Sequence, residues 1–111
     1  MQVSETRSGN ATILRIAGRV DSSVAKTLEQ KVTELAGRDG SIIVDLREMN
    51  YVSSAGLRSF IILAKHARAK SQTIALSGMN EEVSEIFEIS NLLELFTVFD
   101  TVEAAIAAQA R

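Results

Sequence analysis

The 111-residue chain contains neither cysteine nor proline. Without cysteine it can form no disulfide, supply no thiolate nucleophile and hold no zinc through sulfur, a composition that suits a reducing compartment. Without proline it offers no candidate for a cis peptide bond or a proline hinge. Its turns therefore have to be identified from glycine, asparagine, aspartate and serine.

The chain also lacks a basic excess, because 12 Lys and Arg residues stand against 14 Asp and Glu residues and the formal net charge is -2. A nucleic-acid-binding protein needs cations to neutralise phosphates, so nucleic acid is not a predicted partner. The longest strongly apolar run, residues 60–64, ends at Lys65 and His66 and falls far short of the roughly 20 residues that span a bilayer. The first residues lack the basic and apolar segments of a secretory signal. We predict no membrane insertion and a cytoplasmic location.

The composition is that of a folded protein, with 46% hydrophobic and 23% charged residues. The length fits one domain, which we predict to extend over residues 1–111. The turn signal at residues 8–10 separates two strands, the second over residues 11–17, and predicts an N-terminal hairpin. Asp21, Ser22 and Ser23 then offer oxygens that could cap a helix ending at Gly37.

The rest of the chain alternates between strand and helix patterns. The β-branched run at residues 41–46 is typical of a buried parallel strand. The later elements are a helix over residues 55–70, a strand over residues 73–76, a short helix capped by Asn80, a strand over residues 96–99 and a last helix opened by Thr101. The fold class is therefore α/β, with a four- to five-stranded, mostly parallel mixed sheet, an N-terminal hairpin and about four helices packed mainly on one side. The predicted core includes Ile42, Val44, Leu57, Phe60, Ile61 and Phe87.

Residues 44–70 carry the most informative pattern, VDLREMNYVSSAGLRSFIILAKHARAK. A buried strand is followed by a loop, the apolar pair Tyr51-Val52, two serines, Ala55-Gly56 and a long amphipathic helix. This pattern resembles the signature of the STAS domain family of anti-sigma factor antagonists, in which a hydrophobic-Asp-Ser-Ser/Thr-Gly-Leu motif leads into a regulatory helix. Residues 18–21, Gly-Arg-Val-Asp, are similar to the family's turn before its first helix. The resemblance implies the STAS fold over nearly the whole chain.

The resemblance also implies a phosphorylation site at Ser54. In an alignment on Gly56-Leu57, the family's preceding aspartate falls on Ser53 and its second hydroxyl residue on Ala55. Ser53 is a second, less favoured acceptor, and Ser59, Ser22 and Ser23 stay open. Independently, a phosphate at a helix start would meet unpaired N–H groups and the positive end of the helix dipole. Without the family, Ser53-Ser54 would be interpreted as an ordinary capping pair.

The resemblance further implies a partner surface around this serine. Unphosphorylated, the protein would bind an anti-sigma factor that is also a serine kinase and so free a sigma factor; phosphorylated on Ser54 it would let go, and a phosphoserine phosphatase would restore it. The alternative is a constitutive structural STAS subunit of a lipid-transport ATPase or a stressosome-like scaffold. A weak homodimer is left open. The predicted partner-binding residues, with Gly56 at an exposed helix start, are Asp21, Ser53, Ser54, Gly56, Leu57, Arg58 and Ile61.

No catalytic residue, cofactor or metal site is predicted. The G-x-S-x-G motif of a serine hydrolase is absent, and the single histidine, His66, falls on the polar side of its helix, where it is a poor candidate for a base. Asp21, Asp45 and Asp100 follow strands, but the paired acidic residues and late lysine of a Mg²⁺-binding receiver site are missing. The sequence therefore favours a binding module over an enzyme.

Overall fold

Strands and helices alternate along most of the chain in a computed structural model that describes residues 1–38 and 40–109. Residues 39, 110 and 111 of the predicted single domain lie outside the described part. The elements, in chain order, are β1 (Gln2–Ser8), β2 (Ala11–Val20), α1 (Ala25–Ala36), β3 (Ser41–Asp45), β4 (Met49–Val52), α2 (Ser54–Ala69), β5 (Ile74–Ser77), α3 (Glu81–Ile89), a 3₁₀ turn (Leu93–Leu95), β6 (Thr97–Phe99) and α4 (Val102–Gln109).

The sheet is mixed and runs in the order β1-β2-β3-β5-β6. β1 and β2 form the predicted antiparallel hairpin, while β3, β5 and β6 run parallel to β2. The predicted α/β fold class is confirmed, but the sheet has six strands because β4, which the sequence analysis treated as a loop with an apolar pair, also pairs with β2. This short strand depends on a partner that is remote in sequence, so no local pattern marks it.

Strand β2 pairs with two different parallel strands along its length. Residues 11–15 pair with β3, and residues 18–20 pair with β4 after a register shift between Gly18 and Arg19. Gly18 has a φ of +87°, a left-handed conformation that glycine adopts without steric cost. The shift brings the ends of β2 and β4 together, and the Ser53 amide donates a hydrogen bond of 2.8 Å to the Val20 carbonyl oxygen.

The main core lies between the sheet and the first three helices. On β3, Ile42 and Val44 face this core, whereas Ile43 faces a smaller cluster on the opposite side of the sheet that includes Ala105 of α4. The helices thus pack mainly on one side, with α4 alone on the other. The rings of Phe60 and Phe87 meet edge to face at 5.2 Å between centroids, and each large side chain fully buried in this way contributes about 1.5–3 kcal/mol.

The core prediction was wrong at one position. Ile42, Val44, Leu57, Phe60 and Phe87 are buried, but Ile61 is only partly buried at the edge of the main core. A helix stripe predicted from spacing alone cannot say which of its flanking positions the neighbouring elements cover.

The helix caps were predicted correctly where they are local. The Asn80 side chain accepts a hydrogen bond of 2.8 Å from the Val83 amide, and the Thr101 hydroxyl accepts one of 3.0 Å from the Ala104 amide. The helices of the described residues are all too short or too polar to cross a membrane.

The position of Val44 generates the first prediction. Its side chain is fully buried on the central strand between Leu14 of β2 and Leu76 of β5. Val44→Asp should lower the free energy of unfolding by about 4 kcal/mol or more, because an unpaired carboxylate would enter the core. The measurement is urea denaturation followed by circular dichroism.

Val98→Asp is the matched control, since Val98 lies on the edge strand β6 and is 42% exposed. It should cost less than about 1 kcal/mol. Equal stability of the Val44→Asp and Val98→Asp variants would contradict the central position of β3.

Candidate functional site

The start of α2 lies where the ends of β2 and β4 meet. Ser53 is the N-cap residue, with extended backbone, and its hydroxyl oxygen accepts a hydrogen bond of 3.1 Å from the Gly56 amide. Its carbonyl oxygen accepts the first bond of the helix, from the Leu57 amide at 2.8 Å. The capping interpretation therefore holds for Ser53, whose hydroxyl is committed to holding the helix end.

Ser54 is the first residue of α2 and is exposed. Its hydroxyl makes no hydrogen bond to any other part of the chain that the structure describes. The first turn of α2 contains no acidic residue, so the partial positive charge of this 16-residue helix is not offset locally. The position can therefore accept a phosphate dianion without breaking an existing contact.

Asp21 follows directly after β2 and is partly exposed. Its Oδ1 atom accepts hydrogen bonds from the Ser23 hydroxyl at 2.5 Å and the Ser23 amide at 3.0 Å. These two bonds, the hydroxyl first, lower the pKa of Asp21 below its ordinary value, and the charge of Arg19 adds to the effect. The carboxylate is therefore ionised at neutral pH.

The prediction that Asp21, Ser22 and Ser23 cap α1 was wrong. The helix begins at Ala25, its N-cap is Val24, and no side chain caps it. Asp21 instead closes a turn before the helix, with its carbonyl oxygen accepting a hydrogen bond from the Val24 amide at 3.2 Å. The Asp21 carboxylate and the Ser23 hydroxyl bond to each other within this turn, and neither caps the helix that follows.

Gly56 is buried, which corrects the expectation of an exposed helix start. A Cβ atom built on it would lie 2.8 Å from Cγ1 of Val20, 2.9 Å from Cγ2 of Val52 and 3.0 Å from the Val20 carbonyl oxygen. The missing side chain thus admits the ends of two strands, not a partner. Leu57 is also buried, with 9% of its surface exposed, and belongs to the core. Both residues support the site from beneath.

Ser54, Arg58 and Ile61 remain on the outer side of α2. Their i, i+4, i+7 spacing places them on one face of the helix. Arg58 is exposed and Ile61 is partly buried. Among the predicted partner-binding residues, the solvent-facing set is therefore Asp21, Ser54, Arg58 and Ile61, with Ser53 partly exposed beside them.

The other candidate serines differ in access. Ser59 is 1% exposed, and its hydroxyl donates a hydrogen bond of 3.1 Å to the Ala25 carbonyl oxygen, joining α2 to α1. A kinase could reach it only if the helices separated. Ser22 and Ser23 are both exposed, but the Ser23 hydroxyl donates a hydrogen bond to Asp21.

Sequence reasoning missed a pair of residues beside the site. The Arg19 guanidinium lies 4.1 Å from the centroid of the Tyr51 ring, and these residues are paired across β2 and β4. Tyr51 is 36% exposed. Each lies two residues before a predicted site residue, Asp21 and Ser53. Their contact spans 32 positions of sequence, so only the pairing of β4 with β2 reveals it.

Of the residues that the sequence offered for metal or acid–base chemistry, only Asp21 belongs to this site. No cluster of three or more metal-ligating side chains occurs within residues 1–38 and 40–109. Asp45 is buried, and its carboxylate is bound by Arg47 through Nε at 3.1 Å and Nη2 at 2.9 Å. His66 is exposed near the end of α2, and Asp100 is exposed after β6.

Comparison with known proteins agrees with this architecture. The family model of the STAS domain matches residues 2–105, and the chain belongs to the STAS domain family. Among its relatives, BtrV of Bordetella bronchiseptica, whose name describes it as a candidate anti-sigma factor antagonist, is 32% identical over 109 residues, covering 97% of this chain and 94% of BtrV.

Three solved structures share the fold. A candidate anti-sigma factor antagonist from Thermotoga maritima superposes with a TM-score of 0.90 at 19% identity, over 98% of this chain and 95% of the other. The anti-sigma factor antagonist SpoIIAA in its unphosphorylated form has a TM-score of 0.76 at 13% identity, over 99% and 98% of the two chains. Bacillus SpoIIAA in its phosphorylated form has the same TM-score at 17% identity, over 99% and 100%. At these identities the likeness concerns the fold alone.

Close packing at Gly56 generates the second prediction. Gly56→Ala should lower the free energy of unfolding by about 1–2 kcal/mol, because overpacking costs about 1–3 kcal/mol and the gain in helix propensity returns up to about 1 kcal/mol. Gly56→Arg should prevent folding. Thermal and urea unfolding measure both variants.

Gly37→Ala is the matched control, because a Cβ atom there would lie no closer than 3.4 Å to the Glu34 carbonyl oxygen. It should leave stability unchanged or raise it slightly. A fully stable Gly56→Arg protein would mean that the glycine is not held against the strand ends.

Proposed function

We propose that this protein is an anti-sigma factor antagonist that is switched by phosphorylation of Ser54. Unphosphorylated, it binds an anti-sigma factor that is also a serine kinase; phosphorylated, it releases that partner, and a phosphoserine phosphatase returns it to the binding form. The observation that carries the proposal is the exposure of the Ser54 hydroxyl at the start of α2, while the hydroxyls of Ser53 and Ser59 are bonded within the fold. The relatives support it, because BtrV bears this kind of name and SpoIIAA has been solved in both phosphorylation states.

The proposed partner surface surrounds Ser54. Asp21 supplies an ionised carboxylate, Arg58 a cation and Ile61 a partly exposed apolar side chain. Interfaces of this kind combine an apolar contact with a polar rim that sets orientation. Gly56 and Leu57 act indirectly, by fixing the start of α2. The protein acts in the cytoplasm as a binding module without catalysis of its own.

The negative charge of the phosphate explains how phosphorylation would weaken partner binding. A phosphoserine carries about 1.5 to 2 negative charges at pH 7, which the helix N-terminus tolerates in the free protein. In the complex this charge would be partly desolvated against the partner, and an unpaired buried charge costs several kcal/mol. A penalty of roughly 3 to 4 kcal/mol would weaken binding some two to three orders of magnitude, since 1.4 kcal/mol is about tenfold.

The third prediction tests the phosphoacceptor. Mass spectrometry of protein from its own cells should find phosphate on Ser54 within residues 48–58, which form one tryptic peptide. Ser54→Ala should bind the kinase partner with the affinity of the unphosphorylated protein, and it should keep that affinity after incubation with the kinase and ATP. Isothermal titration of the protein with the serine-kinase anti-sigma factor encoded nearest to its gene measures both properties.

Ser53→Ala is the paired control. It should lose about 1 kcal/mol of stability through the missing cap but still be phosphorylated on Ser54. Phosphate found on Ser53 in place of Ser54 would reassign the acceptor. Equal affinity of the phosphorylated and unphosphorylated forms would overturn the switch and favour the constitutive structural subunit.

The fourth prediction concerns Asp21. Asp21→Asn keeps an oxygen that can accept from Ser23, so the turn and the fold should persist, but the carboxylate charge is lost. The affinity for the kinase partner should fall at least about tenfold and the remaining binding should depend less on salt. Asp100→Asn, a change of the same kind at an exposed aspartate elsewhere in the chain, should bind normally. Equal binding by both variants would remove Asp21 from the interface.

A further inference from the structure

Two arginines on α2 differ from the other arginines that the structure describes. Arg58 and Arg68 are exposed and make no salt bridge, side-chain hydrogen bond or cation–π contact within residues 1–38 and 40–109. The remaining described arginines are engaged, as follows: Arg7 with Thr12, Arg15 with Glu48, Arg19 with Tyr51, Arg38 with Glu5 and Glu34, and Arg47 with Asp45.

Arg58 lies four residues after Ser54 on the same helix. At this spacing Cβ atoms are about 5–6 Å apart, and an anion placed N-terminal to a cation is the more favourable orientation. A guanidinium can bind two phosphate oxygens at once. The nearby Arg19 is held over Tyr51, and the first turn of α2 has no acidic side chain that would compete for Arg58.

We propose that Arg58 is the internal counter-ion of phosphorylated Ser54, folding back along α2 to bind the phosphate. This inference rests on the proposed phosphorylation of Ser54 and names how that modification is read out. Phosphorylation would then change the surface twice, by adding an anion at Ser54 and by withdrawing the cation of Arg58 from the partner.

The pairing also predicts an asymmetry between phosphate and its common substitute. A glutamate at position 54 has one charge and two oxygens, so it would hold Arg58 less firmly than a phosphate with about twice the charge and three oxygens. Ser54→Glu should therefore release the partner only in part. Its carboxylate repels the partner less than a phosphate does, and it also withdraws Arg58 from the partner less completely.

The test is a ³¹P NMR titration of protein in which phosphoserine is inserted at position 54 during translation, so that no kinase is needed. The free phosphoserine has a second pKa near about 6. An Arg58 ion pair favours the dianion, so Arg58→Met should raise this pKa by ~0.4 unit relative to the unchanged chain. The difference should shrink in about 1 M salt, where the Debye length falls to about 3 Å.

Arg68→Met is the matched control, since Arg68 is an equally unengaged arginine of the same helix about 15 Å beyond Arg58 along the axis. It should move the phosphate pKa by less than about 0.1 unit, because it lies beyond a Debye length from Ser54. Arg58→Lys keeps the charge and should retain part of the shift. Circular dichroism confirms that each variant is folded.

An equal phosphate pKa in the unchanged chain, Arg58→Met and Arg68→Met would overturn the counter-ion. That result would not contradict the proposed phosphorylation of Ser54 by a kinase, because the phosphoserine in this experiment is inserted during translation. Conversely, a kinase partner that does not phosphorylate Ser54 would contradict the proposed function. The titration would still show whether Arg58 pairs with the phosphate.

Discussion

The hydrogen bond from the Ser53 amide to the Val20 carbonyl oxygen joins the two chain segments on which the site depends. It extends the pairing of β2 with β4 by one step and sets the point at which α2 can start. Gly56 then lies so close to both strand ends that a Cβ atom there would come within 2.8 Å of Val20 and 2.9 Å of Val52, so any side chain at position 56 would have to push them apart. The orientation of Ser54, Arg58 and Ile61 follows from this anchoring, because all three lie on the helix it fixes.

The two adjacent serines differ in how their hydroxyls are engaged, and this difference suits the proposed modification of Ser54. A serine that caps a helix must keep its hydroxyl oxygen on a backbone amide, as Ser53 does with Gly56. A serine that is to be modified must present its hydroxyl to solvent, as Ser54 does. Shifting the cap to the preceding residue leaves the helix end intact whether or not the next residue is modified. Ser53 provides this cap without adding a charge beside Ser54.

The sequence predicted those features whose causes are local. The start of α2, the caps of α3 and α4 and the central strand β3 follow from patterns within a few residues, and each is present. The serine doublet was found because it belongs to a contiguous motif. The features that were missed depend on remote partners: β4 pairs with the end of β2, and Gly56 is buried by Val20. Asp21 was assigned to a cap because it directly precedes the apolar pattern of α1, but the helix begins only at Ala25.

The contact between Arg19 and Tyr51 has a practical consequence. The chain contains no tryptophan, and Tyr51 is its only tyrosine. The ultraviolet fluorescence of the protein therefore originates almost entirely from one ring, which lies at the junction of β2 and β4 under a guanidinium group. Any molecule that covers this junction alters the surroundings of that ring. The protein thus carries a built-in, label-free optical reporter beside its proposed partner surface.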